Sequence, residues 1–237
     1  MSPEFKKIFS QYAGYAFAKQ LAFDDFLGER GWSVDVGQGS VTFGTDLSFP
    51  IQLLGTESEG DDTWLWAWAN ESSNLPPTLL KSCNELKTLG EERSIEEFTE
   101  RSFSNEPVNG HMLAMVASGI NSESCYYRGP YDGGALYFLV HDVPKEFFTP
   151  VQAQRAITVI SELISQFEVD HKPMIRSFLT SQEFELSEQQ DTLIAQRSGN
   201  SIEISFDTDM RIDKIEGKSS THEEPKMKKK SGWKFWR

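Results

Sequence analysis

The sequence predicts an α+β protein built on antiparallel sheet. Three observations predict it: a long N-terminal stretch of helical period, short alternating segments separated by glycines and acidic turns, and a return to helical and then alternating patterns near the end. The expected order is a helix, a β-meander, helices, a β-hairpin, helices and a small C-terminal β-meander. Aromatic residues at 12% and charged residues at 25% are ordinary for a folded chain of 237 residues, which is long enough for one sizeable core.

Each element has its own warrant. Ser2 followed by Pro3 is a helix start, and Phe5, Ile8, Phe9, Tyr12, Tyr15 and Ala16 recur at helical spacing until Gly28 and Gly31 end the stripe. Alternation then predicts strands over 32–37, 40–44, 47–55 and 62–69, with Pro50 at an edge or bulge. After NLPP at 74–77, Leu79, Leu80, Cys83, Leu86 and Leu89 predict a helix to Gly90. A shorter helix is expected over 94–103 and another over 111–118. Strands return at 122–129 and 134–142, joined by the turn PYDG. Thr149-Pro150 opens the clearest helix, with Ala153, Ile157, Ile160, Ile164 and Phe167 spaced 4, 3, 4, 3, and a further helix is expected over 173–182.

The terminal unit reads as three strands, TLIAQR, SIEISFD and MRIDKIE, joined by Ser198-Gly199-Asn200 and Asp207-Thr208-Asp209. The expected organisation is a core domain over 1–182, a β-meander over 183–216 packed on it, and a disordered linker with a basic aromatic tail over 217–237. There is no internal repeat. The N-terminal stretch carries Lys6, Lys7, Lys19, Asp24 and Asp25 among its apolar residues, which breaks any signal-peptide h-region. No apolar run approaches the ~20 residues of a membrane span. A cytoplasmic location follows as the expectation, and there Cys83 and Cys125 are reduced, buried hydrophobes.

The net charge is −13, yet residues 226–237, KMKKKSGWKFWR, carry six Lys/Arg and no acid, which leaves −19 on residues 1–225. So acidic a body repels nucleic acid, whose phosphates require clustered Lys/Arg. Trp233, Phe235 and Trp236 interleave with Lys228, Lys229, Lys230, Lys234 and Arg237 at the tip. Rings at a chain end point to docking. The targets are an anionic membrane surface, the chain's own acidic body, or a protein partner.

Residues 63–70 read TWLWAWAN and place Trp64, Trp66 and Trp68 on one face of a strand, with Leu65, Ala67 and Ala69 on the other. The small residues suit a closely packed helix layer, so the indoles are expected on the face away from it. Each ring offers ~150–250 Å², worth about 4–6 kcal/mol gross on burial, which argues for a covered face. A partly open aromatic groove, with Asn70 at its end, is the alternative. In YYRGPYDGG, Arg128 and Asp132 flank Gly129-Pro130. One reading is a tight hairpin with an internal Arg128–Asp132 pair. The sharper one makes Tyr127 and Tyr131 the walls of a site where Arg128 holds an anion.

WLWAWAN at 64–70 together with YYRGPYDGG at 126–134 resembles a family of bacterial proteins of uncharacterised function, over roughly residues 5–170. The resemblance implies a bacterial, soluble, mixed α and β protein and carries no catalytic roles. The element order over 3–167 also looks like that of the acidic dimeric chaperones of type III secretion, which bind unfolded clients and would leave room for a homodimer. The extra helices and the terminal meander depart from that pattern.

The histidines at 111, 141, 171 and 222 make no HxH, HxxxH or HExxH, so no metal is expected. There is no P-loop, no GxGxxG after a strand and no GxSxG elbow, so no cofactor is expected either. The acid pairs Asp24-Asp25 and Asp61-Asp62 read as a helix end and a turn. The expected function is therefore a non-catalytic cytoplasmic binding protein whose tail docks on a partner. The alternatives are a client-binding chaperone or immunity-type protein, and an enzyme or small-molecule binder with a site near the tryptophan strand.

Overall fold

A computed structural model describes residues 1–219. Helix α1 spans Pro3–Leu27, with Pro3 in its first turn and the Ser2 hydroxyl accepting the Phe5 amide hydrogen at 3.1 Å. The Ser2 amide and hydroxyl both donate to the Glu97 carboxylate at 2.6 Å, which ties the helix start to the middle of the chain. Strands β1 (Trp32–Asp35), β2 (Ser40–Phe43), β3 (Leu47–Ser58) and β4 (Thr63–Trp66) follow as an antiparallel meander. Helices α2 (Lys81–Arg93) and α3 (Glu96–Thr99) lead to β5 (Ser102–Ser104), which pairs with β4. Helix α4 (Gly110–Ile120) precedes the hairpin of β6 (Cys125–Tyr131) and β7 (Gly134–Val140), and β7 pairs with β3.

The chain then forms α5 (Ala153–Gln166), α6 (His171–Ser181) and a four-stranded antiparallel sheet of β8 (Glu185–Gln189), β9 (Thr192–Arg197), β10 (Asn200–Phe206) and β11 (Ile212–Ser219). The first sheet has seven strands. All pairings are antiparallel, so the α+β expectation holds in class and in element order.

Helix α1 is the axis of the core. Phe5, Phe9, Ala13, Ala16 and Phe17 are fully buried, and contacts with α4, α5 and α6 surround it. Two glycines set the closest approaches. A Cβ on Gly14 would lie 2.6 Å from the Phe178 side chain of α6, and one on Gly119 of α4 would lie 2.5 Å from that of Tyr12. Helix α4 lies between α1 and the β3–β7–β6 part of the first sheet, while α5 and α6 carry the second sheet. The first sheet curls so that Trp32 of β1 comes back over β6: its ring meets Gly129 and lies 5.9 Å from that of Tyr127.

Several local expectations change. The tryptophan strand ends at Trp66, and Ala67–Ala69 turn as a 3-10 helix, so strict alternation stops there. Only Glu96–Thr99 of the expected 94–103 helix forms, because its end becomes edge strand β5. Gly129 and Pro130 lie inside β6, and the hairpin turns at Asp132-Gly133, with Gly133 at φ 85. Pro50 sits where β3 passes from pairing with β2 to pairing with β7, and the bulge falls at Leu53/Gly55 instead. Helix α5 starts at Ala153, after a 3-10 turn over Lys145–Phe148. The terminal sheet has a fourth strand, β8, whose exposed, polar ELSEQ shows no alternation. Ser198-Gly199 turns as expected, with φ of 51 and 79, as a type I′ hairpin requires.

Candidate functional site

The tryptophan face meets the helix layer, the reverse of the expected arrangement. A Cβ on Gly110 of α4 would lie 2.7 Å from the Tyr137 ring and 2.8 Å from that of Trp64, so α4 sits directly over these rings. Trp64 and Trp66 are fully buried, and the Trp66 indole N–H donates to the Glu97 carbonyl at 3.0 Å. Glycine, not the alanines of the strand, supplies the close approach. Trp68 leaves the strand and lies half-buried under Lys87, whose Nζ is 4.6 Å from the ring centroid. Asn70 accepts the Ser73 amide hydrogen at 3.3 Å and so caps a short turn. The three indoles do not form one surface.

Arg128 is drawn inward, but its partner is not Asp132. Its Nε is 3.8 Å from Glu57 Oε2 and its Nη2 is 3.8 Å from Glu59 Oε1, with the Arg128 and Glu57 side chains 15% and 12% exposed. Glu57 Oε1 accepts the Gly110 amide hydrogen at 2.8 Å, and Oε2 accepts the Tyr137 hydroxyl hydrogen at 2.7 Å. Together with the Asn109 side chain, which accepts from Met112 N, this carboxylate satisfies the N-terminus of α4. Tyr127 is next to Arg128 in sequence and so faces the other side of the sheet, against Phe43 and Trp32. Tyr131 and Asp132 are exposed at the hairpin tip. The expected site of Tyr127, Arg128, Tyr131 and Asp132 is therefore not assembled. The cluster that does form contains Glu57, which no sequence motif marked.

Beside it, burial pushes the His111 imidazole well below its ordinary range, helped by the Arg128 charge. Its Nδ1 lies 3.2 Å from the Tyr126 hydroxyl. Burial also raises Tyr137, reinforced by the Glu57 charge, and both cysteine thiols, which rise to about 12.

A second enclosed charge lies at the other end of α4. Lys19 is 1% exposed, and its ammonium donates to the Ser118 and Ser124 carbonyls at 2.6 and 2.7 Å and to those of Asn121 and Ser122 at 3.4 Å. Nζ also lies 4.6 Å from the Tyr15 ring centroid. Burial pushes this amine down to about 7, with the neighbouring Cys125 opposing. The carbonyls belong to the C-terminal turn of α4 and the loop after it, where a cation is favoured. Glu57 and Lys19 thus hold the two ends of α4, each enclosed by the fold.

The open feature lies elsewhere. A groove of about 1270 Å³ runs between the start of α1, the α5–α6 connection and the β10–β11 turn. Ile164, Phe167, Val169 and Met210 give it apolar lining, and Met210 is 52% exposed. Its rim is charged: Lys6 bonds Glu168 at 2.9 Å and pairs with Asp170 at 3.4 Å, while Lys172 and Arg176 share Glu188. The Arg211 guanidinium, also on the rim, makes no hydrogen bond or ion pair among the described residues. Asp207 Oδ1 accepts the Asp209 and Arg211 amide hydrogens, both at 2.9 Å, and so holds the turn that presents Met210. His171 Nδ1 accepts the Ile212 amide hydrogen at 3.1 Å, which joins α6 to β11 and leaves the hydrogen of the neutral ring on Nε2.

No sequence signal identified this groove, because its lining runs from Lys6 to Arg211. Among the described residues, no three His, Cys, Asp or Glu side chains converge as metal ligands, and no helix is long and apolar enough to cross a membrane. Trp233, Phe235, Trp236, Lys228, Lys229 and Lys230 lie outside the described residues.

The sequence profile of a family of unknown function, DUF6882, matches residues 6–143. The chain belongs to that family. The DUF6882 segment runs from α1 through β7, so it contains the tryptophan strand, the Glu57–Arg128–Tyr137 cluster and Lys19 with its carbonyls. Of the groove lining, only Lys6 falls within the DUF6882 segment; α5, α6 and the second sheet follow it. No curated protein and no solved structure matches the chain.

Proposed function

We propose that this protein is a non-catalytic binding protein of the cytoplasm that holds a protein partner. Its contact elements are the groove between α5, α6 and the β10–β11 turn and the basic aromatic segment 226–237. The observation that carries this reading is the contrast between the groove and the ionisable clusters. The groove exposes Met210 and, among the described residues, an unpaired guanidinium to solvent over an apolar lining. The buried carboxylate, imidazole and ammonium are turned inward and bonded to the fold that encloses them. A methionine beside aliphatic and aromatic side chains suits an apolar protein segment, since its thioether adapts to varied shapes.

The test is affinity capture with the full chain from cell lysate, membrane fraction included. It compares the wild type with Met210→Asp and with a Trp233→Ala/Phe235→Ala/Trp236→Ala variant. Each variant is expected to lose proteins that the wild type retains. Identical captured sets for all three would overturn the reading, and recovery of anionic vesicles alone would replace the protein partner with a membrane surface.

A further inference from the structure

We infer that, in the absence of a partner, the groove is occupied by the chain's own C-terminal segment, with the rings of Trp233, Phe235 and Trp236 seated over Ile164, Phe167, Val169 and Met210. This deepens the proposed function and rests on it, because it assigns the groove and the tail to each other and makes the tail a mask that a partner displaces from the groove and then holds by the same rings.

Three observations support the assignment. The first is reach. Strand β11 ends at Ser219, and the β10–β11 turn that carries Met210 lies at the other end of the same hairpin, seven residue steps back from Ser219 to Ile212. That return is about 24 Å at ~3.4 Å per residue. The fourteen steps from Ser219 to Trp233 can extend to about 46 Å at ~3.3 Å each, so the segment can double back along the sheet with slack.

The second is chemistry. The segment sets three rings beside a run of ammonium groups, with Lys234 among the rings. The groove offers apolar lining for the rings, while its rim balances Glu168, Asp170, Glu188 and Asp209 against Lys6, Lys172, Arg176 and Arg211, so the attraction for the ammonium groups comes from the acidic body as a whole. Residues 1–225 together carry −19, while residues 226–237 carry the six positive charges. Rings supply the contact and charge the approach, and an indole tolerates an amphipathic border.

The third is concentration. A tethered segment experiences an effective concentration in the mM range, so a site with a dissociation constant near 0.1 mM would be about 90% occupied. A weak, displaceable contact is therefore enough, and a partner that brings its own apolar segment needs only moderately higher affinity to open the groove.

The experiment uses the full chain, isotopically labelled, with Ser231→Cys carrying a nitroxide. Cys83 and Cys125 are buried, so the label goes to the new thiol. Paramagnetic broadening is expected at the amides of 164–172 and 209–212 and is expected to survive dilution. It should fall by about fivefold or more in Trp233→Ala/Phe235→Ala/Trp236→Ala and in Met210→Asp, as expected when tethered occupancy is lost. Met210 is half exposed, so its replacement leaves the rest of the amide spectrum in place as a check on folding. Broadening spread over the acidic surface, broadening absent from the groove, or broadening that disappears on dilution would each overturn the inference. The capture experiment reads the proposed function separately: partners lost in the variants, with no groove broadening in the isolated chain, would sink the mask and leave the binding role standing.

Discussion

Replacing Lys19 by Met tests how the core treats a buried charge. Methionine keeps an unbranched side chain, one atom shorter, and removes the donor. Of the four carbonyls around Nζ, Ser124 O keeps the Ser118 hydroxyl at 2.9 Å, Asn121 O keeps the Ser124 hydroxyl at 3.0 Å and Ser122 O keeps the Tyr15 hydroxyl at 3.3 Å. Ser118 O loses its Lys19 donor, a cost of about 1–3 kcal/mol that does not depend on pH. The pH-dependent part is separate. Folding lowers the amine from its ordinary 10.5 to about 7, so between those values the unfolded chain holds more protons and stability rises with pH.

Equivalently, the wild type loses stability as pH falls from 10.5 towards 7, and the methionine variant does not. Each tenfold change in proton affinity is worth about 1.4 kcal/mol. The difference in unfolding free energy between wild type and variant should therefore move by about 3 kcal/mol from pH ~6.5 to pH ~9.5, in favour of the wild type at the upper end. Urea unfolding followed by circular dichroism at several pH values reads this directly, and other titrating groups cancel in the difference. A constant difference across that range would mean that the carbonyls and the α4 terminus hold Lys19 charged against its burial, and would refute the reasoning.

Two further outcomes follow from the packing around α4. Gly110→Ala places a methyl 2.7 Å from the Tyr137 ring and 2.8 Å from that of Trp64, so it should destabilise by about 1–3 kcal/mol in urea melts; a neutral or stabilising result would contradict the close approach of helix and sheet. For His111, the folded imidazole resists protonation while the unfolded one accepts a proton near pH 6.5, so stability is lost as pH falls below that value. The difference between wild type and His111→Phe should therefore shift against the wild type by up to about 1.4 kcal/mol per pH unit below ~6.5, and parallel stability curves would rule this out.

The periodic part of the fold was legible. Helix α1, with its Ser2-Pro3 start, the 4, 3, 4, 3 spacing of α5 and the Ser198-Gly199 hairpin are all written in short-range patterns, and short-range patterns determine local backbone. The misses have a common cause. Strand β8 is polar and at a sheet edge, so burial imposes no alternation on it, and β5 is three residues long, too short for any period to register.

The candidate site was less legible than the fold. The tryptophans were readable as buried rings, but nothing local says which layer covers them; Gly110, more than forty residues away, decides it. Arg128 stands out in its motif as a charge that could turn inward. Its partner Glu57 does not, because an acid on a strand looks the same whether it faces water or a helix N-terminus.

The sequence by itself determined the class of the fold, the order of its periodic elements, the acidic body and the basic aromatic segment, since each is a property of composition or of neighbours along the chain. Only the tertiary structure decided that α4 is held between Glu57 and Lys19, and that Lys6, Phe167, His171 and Met210 line one groove. The physical reason is that these residues are brought together by close packing of helices on sheets, and packing joins positions some two hundred residues apart without leaving a period in the sequence.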